Sequence, residues 1–538
     1  MTAGDTAVLL SSALVGVTAL LRWGRVAQRE HYLPGEVWSV ARRWSRSRPP
    51  NGLLAGGWLV AFLVAVAAAE STPLQIVGAL AAGAIGAAFP WGMRIIGRPP
   101  LRWTRRLRSL AAVAGLVALV GAGLIFWVLG PYATLAGIAP LTAASLELAL
   151  RITAPLEARL ARRFTDRAAS RLRSIRPRVV AVTGSFGKTT TKNHIRDLLT
   201  PFMAVTASPA SWNNRAGLAR AINEELGTGT EVFVAEMGTY GRGEIAELVD
   251  WIHPEVAIIS ALGPVHLERM GSLENIVAAK SEIFSGASQA IVCVEHPLLR
   301  ALADRIEAGD LPGWIGQRVW RVGSEVGDPT LDVVATRGGG TASERSDGAA
   351  LTVEARVEAG APRIQIGRVA DAAVHPTNVA CAVAAALALG VQGPDLSGPL
   401  EALSAPRSRA RIEEHDGKVI VDDTFNSNPE GARAALGKLT GAISGGRLVV
   451  VTPGMVELGP DQFQSNVSFA REACDAGATL VVVGWTNRKA LQEGARQSAS
   501  PSQVVAVASR EDALVWVQEN TGVGDGVLWE NDLPDHYP

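Results

Sequence analysis

The stretch Val179-Val-Ala-Val-Thr-Gly-Ser-Phe-Gly-Lys-Thr-Thr-Thr-Lys192 constrains this chain more than any other. Val179 to Val182 read as a buried parallel strand. Gly184 and Gly187 follow, and they let the backbone turn sharply so that its N–H groups approach an anion closely. A helix then starts near Lys188 and presents its positive end to the same anion. Strand, glycine loop and helix opening on Lys-Thr form a phosphate cradle. Lys188 would reach the β- and γ-phosphates of a nucleotide, and the Thr189 hydroxyl would ligate Mg²⁺. The loop is short, because Val182 stands where the first glycine of the usual motif would be.

Apolar strand candidates at Val232–Ala235, Val256–Ser260 and Ala290–Val294 continue the pattern, with helical stretches between them. This predicts a doubly wound α/β sheet with the phosphate loop after an early strand. Arg337 to Gly348 reads as a flexible loop inside a small β-rich excursion. Pro406-Arg-Ser-Arg409 marks a hinge. Beyond it, Lys418–Val421, Arg447–Thr452, Thr479–Val483 and Gln503–Val507 predict a second, smaller, Rossmann-like α/β domain.

The first third differs. Uncharged apolar runs occupy Thr6–Leu21, Gly52–Ala69 and Leu74–Met93, and a longer one, Ser109–Leu146, could cross a bilayer twice with its turn at Gly130-Pro131. At about 20 residues per crossing this predicts a polytopic helical membrane domain of about five spans. The connection after the first run carries Arg22, Arg25, Arg29, Arg42, Arg43, Arg46 and Arg48. That after the third carries Arg94, Arg98, Arg102, Arg105, Arg106 and Arg108, and Arg151, Arg159, Arg162 and Arg163 follow the last. The alternate connections have no basic residue. This places the N-terminus outside and the catalytic body in the cytoplasm, with the protein in the plasma membrane. Expected boundaries are 1–165 for the membrane domain, 166–405 for the nucleotide-binding domain and 406–538 for the C-terminal domain. The spans lack the charge series that a transporter needs. Lys plus Arg and Asp plus Glu both total 51, so no nucleic-acid partner is indicated. Three dispersed cysteines form neither a metal knuckle nor a disulfide framework.

Ordered motifs from about Arg178 to Leu458 resemble the Mur ligases, ATP-dependent enzymes that build the peptidoglycan stem peptide, and most nearly the MurF type. They are Thr183-Gly-Ser-Phe-Gly-Lys-Thr-Thr190; Ser208 to Asn214; Ala235-Glu-Met-Gly238; Gly263-Pro-Val-His-Leu-Glu268 with Ala279-Lys-Ser-Glu282; His375-Pro-Thr-Asn378; Val421 to Pro429; and Gly454-Met-Val-Glu-Leu-Gly459. The resemblance implies that Thr183, Gly184, Ser185, Gly187, Lys188, Thr189 and Thr190 bind the ATP phosphates. It implies two Mg²⁺ ions, one held by Thr189 and Glu236, the other by His266 and a carbamylated Lys280. An ammonium at Lys280 would repel the metal, whereas a carbamate offers it oxygen. A solvated Lys280 paired with Glu282 or Glu274 is the plain alternative. Asn378 is placed near adenine, Asp423 at the ribose, and Phe425, where the family often has tyrosine, on the purine face. Arg411 would stabilise charge near the γ-phosphate.

Two departures bear on substrates. The helical spans stand where the family has its UDP-sugar domain. The MurF-type lysine-glycine-serine-arginine motif is missing, and the chain reads Leu528-Trp-Glu-Asn-Asp-Leu-Pro-Asp-His-Tyr-Pro538 instead. The expected activity is carboxylate–amine ligation through an acyl phosphate, with an amino acid or dipeptide as amine donor. The acceptor is expected to be membrane-associated, a lipid-linked saccharide or peptide. The alternatives are a soluble UDP-linked precursor with a merely localising anchor, and a P-loop ATPase driving transport. A non-catalytic relic of the ligase fold is disfavoured by the joint presence of Lys188, Thr189, Glu236, His266 and Lys280.

Overall fold

A computed structural model describes the chain apart from residues 1–2, 31, 48, 68–71, 94–100, 266, 326, 338–349, 357, 359, 372–373, 405–410, 425–427, 444, 501, 534–536 and 538. The side chains of 3–5, 47, 49, 72 and 411 are likewise outside the description. His266, Phe425, the Arg411 side chain, the Pro406–Arg409 hinge and the loop after Arg337 therefore lie outside the described residues. The chain divides into two compact units. One comprises Met1–Leu160, Ile412–Met455 and Phe463–Pro538; the other comprises Ala161–Arg411 and Val456–Gln462.

The N-terminal helices are α1 (Ala3–Arg29), α2 (Glu36–Ser47), α3 (Pro49–Ala67), α4 (Thr72–Ala88) and α5 (Arg105–Ile175). Gly130 breaks α5 with φ 83°, a left-handed conformation that suits glycine, at the turn the sequence marks. Three helical stretches, Thr6–Arg29, Pro50–Ala67 and Arg105–Ile175, are long and apolar enough to cross a membrane by length and composition; Pro73–Ala88 is shorter. The arginine-rich connection from Arg22 to Arg48 is largely helical, because Val37, Val40 and Trp44 recur on one face, where all three are buried, and Arg42 and Arg46 face outward. The basic segment after Arg151 is helical, since α5 runs on to Ile175.

In the second unit, the strands are β1 (Arg178–Thr183), β2 (Val205–Ala207), β3 (Val232–Glu236), β4 (Val256–Ile259), β5 (Gln289–Cys293), β6 (Arg318–Gly323), β7 (Val333–Arg337), β8 (Leu351–Ala355) and β9 (Ile364–Val369). They form one sheet in the order β2-β3-β1-β4-β5-β6-β7-β8-β9. Every pairing as far as β7 is parallel, and β8 and β9 add antiparallel. Alternate residues of β1 feed opposite cores. Val179 and Ala181 pack with the helices on one face, Val180 and Val182 with those on the other. Each such valine contributes about 1.5–3 kcal/mol by burial. Burial on both faces is why β1 reads as an unbroken apolar run.

The last turns of α5 belong to this unit. Ala168 and Leu172 enter its core. Arg171 donates through Nη2 to the Leu226 carbonyl at 2.6 Å, and Asn223 donates to the Phe164 carbonyl at 3.2 Å.

The C-terminal part of the first unit holds β10 (Arg411–His415), β11 (Lys418–Asp423), β12 (Leu448–Thr452), β13 (Thr479–Val483), β14 (Val504–Val507) and β15 (Gly526–Glu530). Their order is β10-β11-β15-β12-β13-β14. Sequence pattern missed β10 and β15. The stretch that departs from the MurF motif is thus partly a central strand: Leu528 to Glu530 are buried between β11 and β12, in parallel register with both.

Candidate active site

The phosphate loop is built as its residues require. β1 ends at Thr183, and Gly187 caps the next helix, α6 (Lys188–Leu199), at φ 76°. A Cβ at Gly187 would collide with the Asn378 carboxamide oxygen, and one at Gly184 with the Ser260 hydroxyl. Both glycines are therefore required by close approach as well as by turn geometry. Ser260, just past β4, pins the loop by donating to the Phe186 carbonyl at 2.6 Å. The Ser185 hydroxyl donates to the Gly263 carbonyl at 3.0 Å. Thr183 is fully buried, and its hydroxyl oxygen has no hydrogen-bond partner among the described residues. Lys188 folds back, its Nζ donating to the Gly184 carbonyl at 2.7 Å. Thr190 is half-buried in the same first turn.

Glu236 closes β3 with its side chain buried, and everything polar nearby converges on it. The Thr189 hydroxyl donates to Oε2 at 2.8 Å. Lys192 Nζ lies 3.2 Å from the same oxygen, and Asn213 Nδ2 donates to Oε1 at 3.0 Å. Lys192 also donates to the Ala210 carbonyl at 2.5 Å. Its side chain is only 1% exposed. Burial pulls its pKa below the ordinary lysine value, against the pull of Glu236. Lys192 and Asn213 are site residues that sequence reasoning passed over. A signal existed for Lys192, which stands three residues after Thr189 and so shares its helix face.

Lys280 lies near the end of the Leu273–Ser281 helix and is 5% exposed. Among the described residues it has no hydrogen-bond or ion-pair partner. Burial, and then the charge of Lys188, hold it well below the usual lysine range. The surface-pair alternative does not hold. Glu282 instead accepts from the N–H groups of Gly243 and Ala246, capping another helix. Asn378 sits in the first turn of the Pro376–Ala388 helix, where its Oδ1 accepts from the Thr191 hydroxyl at 3.2 Å. Residues 183–190, Glu236 and Asn378 thus share one neighbourhood, and Lys280 is close enough to feel Lys188. Among the described residues no three His, Cys, Asp or Glu side chains converge as a metal cluster. The oxygen donors of Thr189 and Glu236 nevertheless fit a hard cation.

Asp423 ends β11 in the other unit, in register with Glu530 of β15. There the Gly454 loop is gripped by side chains that the sequence did not single out. The Gly454 N–H donates to the Thr452 hydroxyl at 2.8 Å, and Met455 N–H to Asn466 Oδ1 at 2.8 Å. Asn487 donates to the Pro453 carbonyl at 3.0 Å, and Asn531 to that of Gly454 at 2.7 Å. The Thr452 hydroxyl donates in turn to Glu530, which is fully buried. Burial pushes the Glu530 carboxyl up to about 8, and Asp423 adds to the shift.

Comparison with known proteins places these features. The Mur ligase middle domain matches residues 182–312, and the Mur ligase glutamate ligase domain matches 409–530. A UDP-N-acetylmuramoyl-tripeptide–D-alanyl-D-alanine ligase of Mycobacterium leprae is 30% identical over 376 residues, 65% of this chain and 70% of that protein. Among solved structures, a MurF from Acinetobacter baumannii is 25% identical with a TM-score of 0.55, covering 69% of this chain and 77% of that one. The fold is also that of MurF from Thermotoga maritima in complex with ADP, at 23% identity and a TM-score of 0.53, covering 69% and 80%.

Proposed function

Because the chain belongs to the Mur ligase family, and so is an ATP-dependent, ADP-forming amide-bond ligase, we propose that it performs a MurF-type reaction. In that reading the acceptor is the carboxylate of a UDP-linked muramoyl tripeptide, and the amine donor is D-alanyl-D-alanine. The observation that carries it is the relative that bears this name at 30% identity across 70% of its length. The same observation favours the soluble acceptor over the membrane-associated one expected from the helical spans.

The chemistry follows from the residues. The loop N–H groups of Phe186 to Lys188 would cradle the phosphates, the Ser185 N–H being held by the Ala261 carbonyl, and Lys188 would swing from the Gly184 carbonyl to the γ-phosphate, neutralising charge as the acceptor carboxylate attacks. ADP leaves, the amine attacks the acyl phosphate, and phosphate departs as the amide forms. Mur ligases use Mg²⁺, which when bound withdraws charge from the phosphate oxygens. Thr189 and Glu236 would hold it here, with Lys192 and Asn213 orienting the Glu236 carboxylate. A second ion at His266 and Lys280 is part of the proposal. Its support is that burial, and then the charge of Lys188, lower the pKa of the Lys280 amine, and the neutral amine is the form that adds CO₂. Anchoring of the chain in the plasma membrane, with the ligase units cytoplasmic, is proposed on the three long apolar helices and the arginine pattern.

The test uses full-length protein in detergent with ATP, UDP-linked muramoyl tripeptide and D-alanyl-D-alanine, and reads phosphate release and the mass of the product. Amine-dependent phosphate and a UDP-linked pentapeptide are expected. Turnover with a lipid extract as acceptor and none with the soluble precursor would overturn the MurF-type assignment.

A further inference from the structure

Lys192 holds two groups at once. Its Nζ lies 3.2 Å from Glu236 Oε2, the oxygen that also accepts from the Thr189 hydroxyl, and it donates to the Ala210 carbonyl at 2.5 Å. The Lys192 side chain is 1% exposed, whereas Ala210 and Ser211 are exposed. A buried ammonium thus reaches from the carboxylate to a surface turn.

That turn is strained. The Trp212 N–H donates to the Pro209 carbonyl at 3.0 Å and closes a turn over Ala210 and Ser211. Ala210 has φ 41°, in the left-handed region, at a turn position where glycine is favoured. An alanine stays there while its surroundings over-determine it.

The two ends of the segment are pinned to the strand that carries Glu236. Ser208 N–H donates to the Val234 carbonyl at 2.9 Å, and the Ser208 hydroxyl accepts from the Glu236 N–H at 3.1 Å. At the other end the Asn213 carbonyl accepts from the Gly238 N–H at 2.8 Å. A Cβ on Gly238 would collide with the Asn213 side chain, so this end has no slack. The middle is held by Lys192.

Charge links the turn to the carboxylate. The oxygens of Thr189 and Glu236 suit a hard divalent cation. Such a cation on Oε2 repels the ammonium that shares that oxygen, and salt screens buried charges weakly. The second acceptor of Lys192, the Ala210 carbonyl, is already in place to take the ammonium's full hold.

We propose that Lys192 is a positioning residue that couples cation binding at Glu236 to the Pro209–Trp212 turn. As the carboxylate passes to the cation, the ammonium shifts its hold to the Ala210 carbonyl and the turn tightens. This rests on the reading of Thr189 and Glu236 as Mg²⁺ ligands.

The experiment titrates the full chain, in detergent and at saturating ADP, with Mn²⁺ as the probe. Electron paramagnetic resonance reads Mn²⁺ binding, and hydrogen exchange reads the peptide that spans Ser208–Asn214. In wild type, Mn²⁺ should slow exchange in the turn about fivefold or more. Two variants should then move binding in opposite directions. Lys192→Met removes the competing ammonium, so it should bind Mn²⁺ about threefold more tightly or better while its turn no longer responds. Ala210→Pro cannot adopt a positive φ, which turns the carbonyl away and leaves the Lys192–Glu236 pair intact. It should bind Mn²⁺ about threefold more weakly, again with no response in the turn, and it carries the test alone if Lys192→Met does not fold. Weaker binding in Lys192→Met, or unchanged binding in Ala210→Pro, overturns the proposal. So does a wild-type turn that binds Mn²⁺ and exchanges as before. Equal Mn²⁺ binding by Glu236→Gln and wild type overturns the reading of Glu236 as a ligand, and the coupling with it.

Discussion

The Thr189 hydroxyl donates a 2.8 Å hydrogen bond to Glu236, joining the first turn of the helix after the phosphate loop to the carboxyl end of the neighbouring strand. The same carboxylate oxygen meets Lys192 at 3.2 Å, and both charged side chains are about 1% exposed. The proposed cation site and a buried ion pair are therefore one structure. The pair sets the carboxylate's direction before any metal arrives.

Removing Glu236 should cost stability as well as activity. Glu236→Ala leaves the Lys192 ammonium buried without its partner, a loss of about 3–5 kcal/mol. The Glu236→Ala, Lys192→Met double variant should recover most of that stability and none of the turnover. Denaturant melts of the two variants check this. If the single variant is as stable as wild type, the pair does not hold the loop.

Much of this was legible because it is local. β1 and its glycine loop announce themselves through an apolar run and two glycines that only a tight turn explains. Glu236 could be placed from the strand that precedes it. The misses are non-local. β15 is five residues long, and it becomes a central strand only by pairing with Lys418–Asp423, about a hundred residues earlier. The asparagines that grip Gly454 come from three further segments. Nothing near Lys192 in sequence states that it will be buried. The α2 helix was hidden by its own arginines, which outweighed three apolar residues at helical spacing.

Lys280→Ala should lower turnover by about two orders of magnitude while leaving the fold intact. Short carboxylates such as acetate should restore part of the activity by offering oxygen where the carbamate stood. In wild type, removing CO₂ should depress activity reversibly. Full activity of Lys280→Ala at low Mg²⁺ refutes the carbamate.

His194 gives a pH signature. It is fully buried behind the phosphate loop on α6, and neither ring nitrogen has a hydrogen-bond partner among the described residues. Burial lowers its pKa to about 4, against the weaker opposing pull of Asp197 and Asp371. The folded state therefore resists protonation that the unfolded chain accepts near pH 6.5. Stability should be complete above about pH 6.5 and fall by about 3 kcal/mol as pH drops toward 4. His194→Leu should remove that part of the acid sensitivity. Parallel pH slopes for both proteins would show that His194 is not its source.

Glu530 predicts the opposite slope. Its carboxyl is fully buried, accepts from Thr452, and is pushed up to about 8, chiefly by burial. The folded state then holds a proton that the unfolded chain releases near 4.5. Stability from this group is full below about pH 4.5 and is lost as pH rises toward 8, by at most about 5 kcal/mol at roughly 1.4 kcal/mol per pH unit. Glu530→Gln keeps an acceptor for the Thr452 hydroxyl and carries no charge at any pH. It should match wild type near pH 5 and exceed it progressively up to pH 8. The Thr452 oxygen also receives the Gly454 N–H, so ionisation of Glu530 acts on the Gly454 loop, which we propose contacts the amine donor. KM for the amine donor should therefore change with pH in wild type more than in Glu530→Gln, once amine ionisation is accounted for. Coincident stability–pH curves for the two proteins would mean that Glu530 is ionised in the fold and that the loop is held without it.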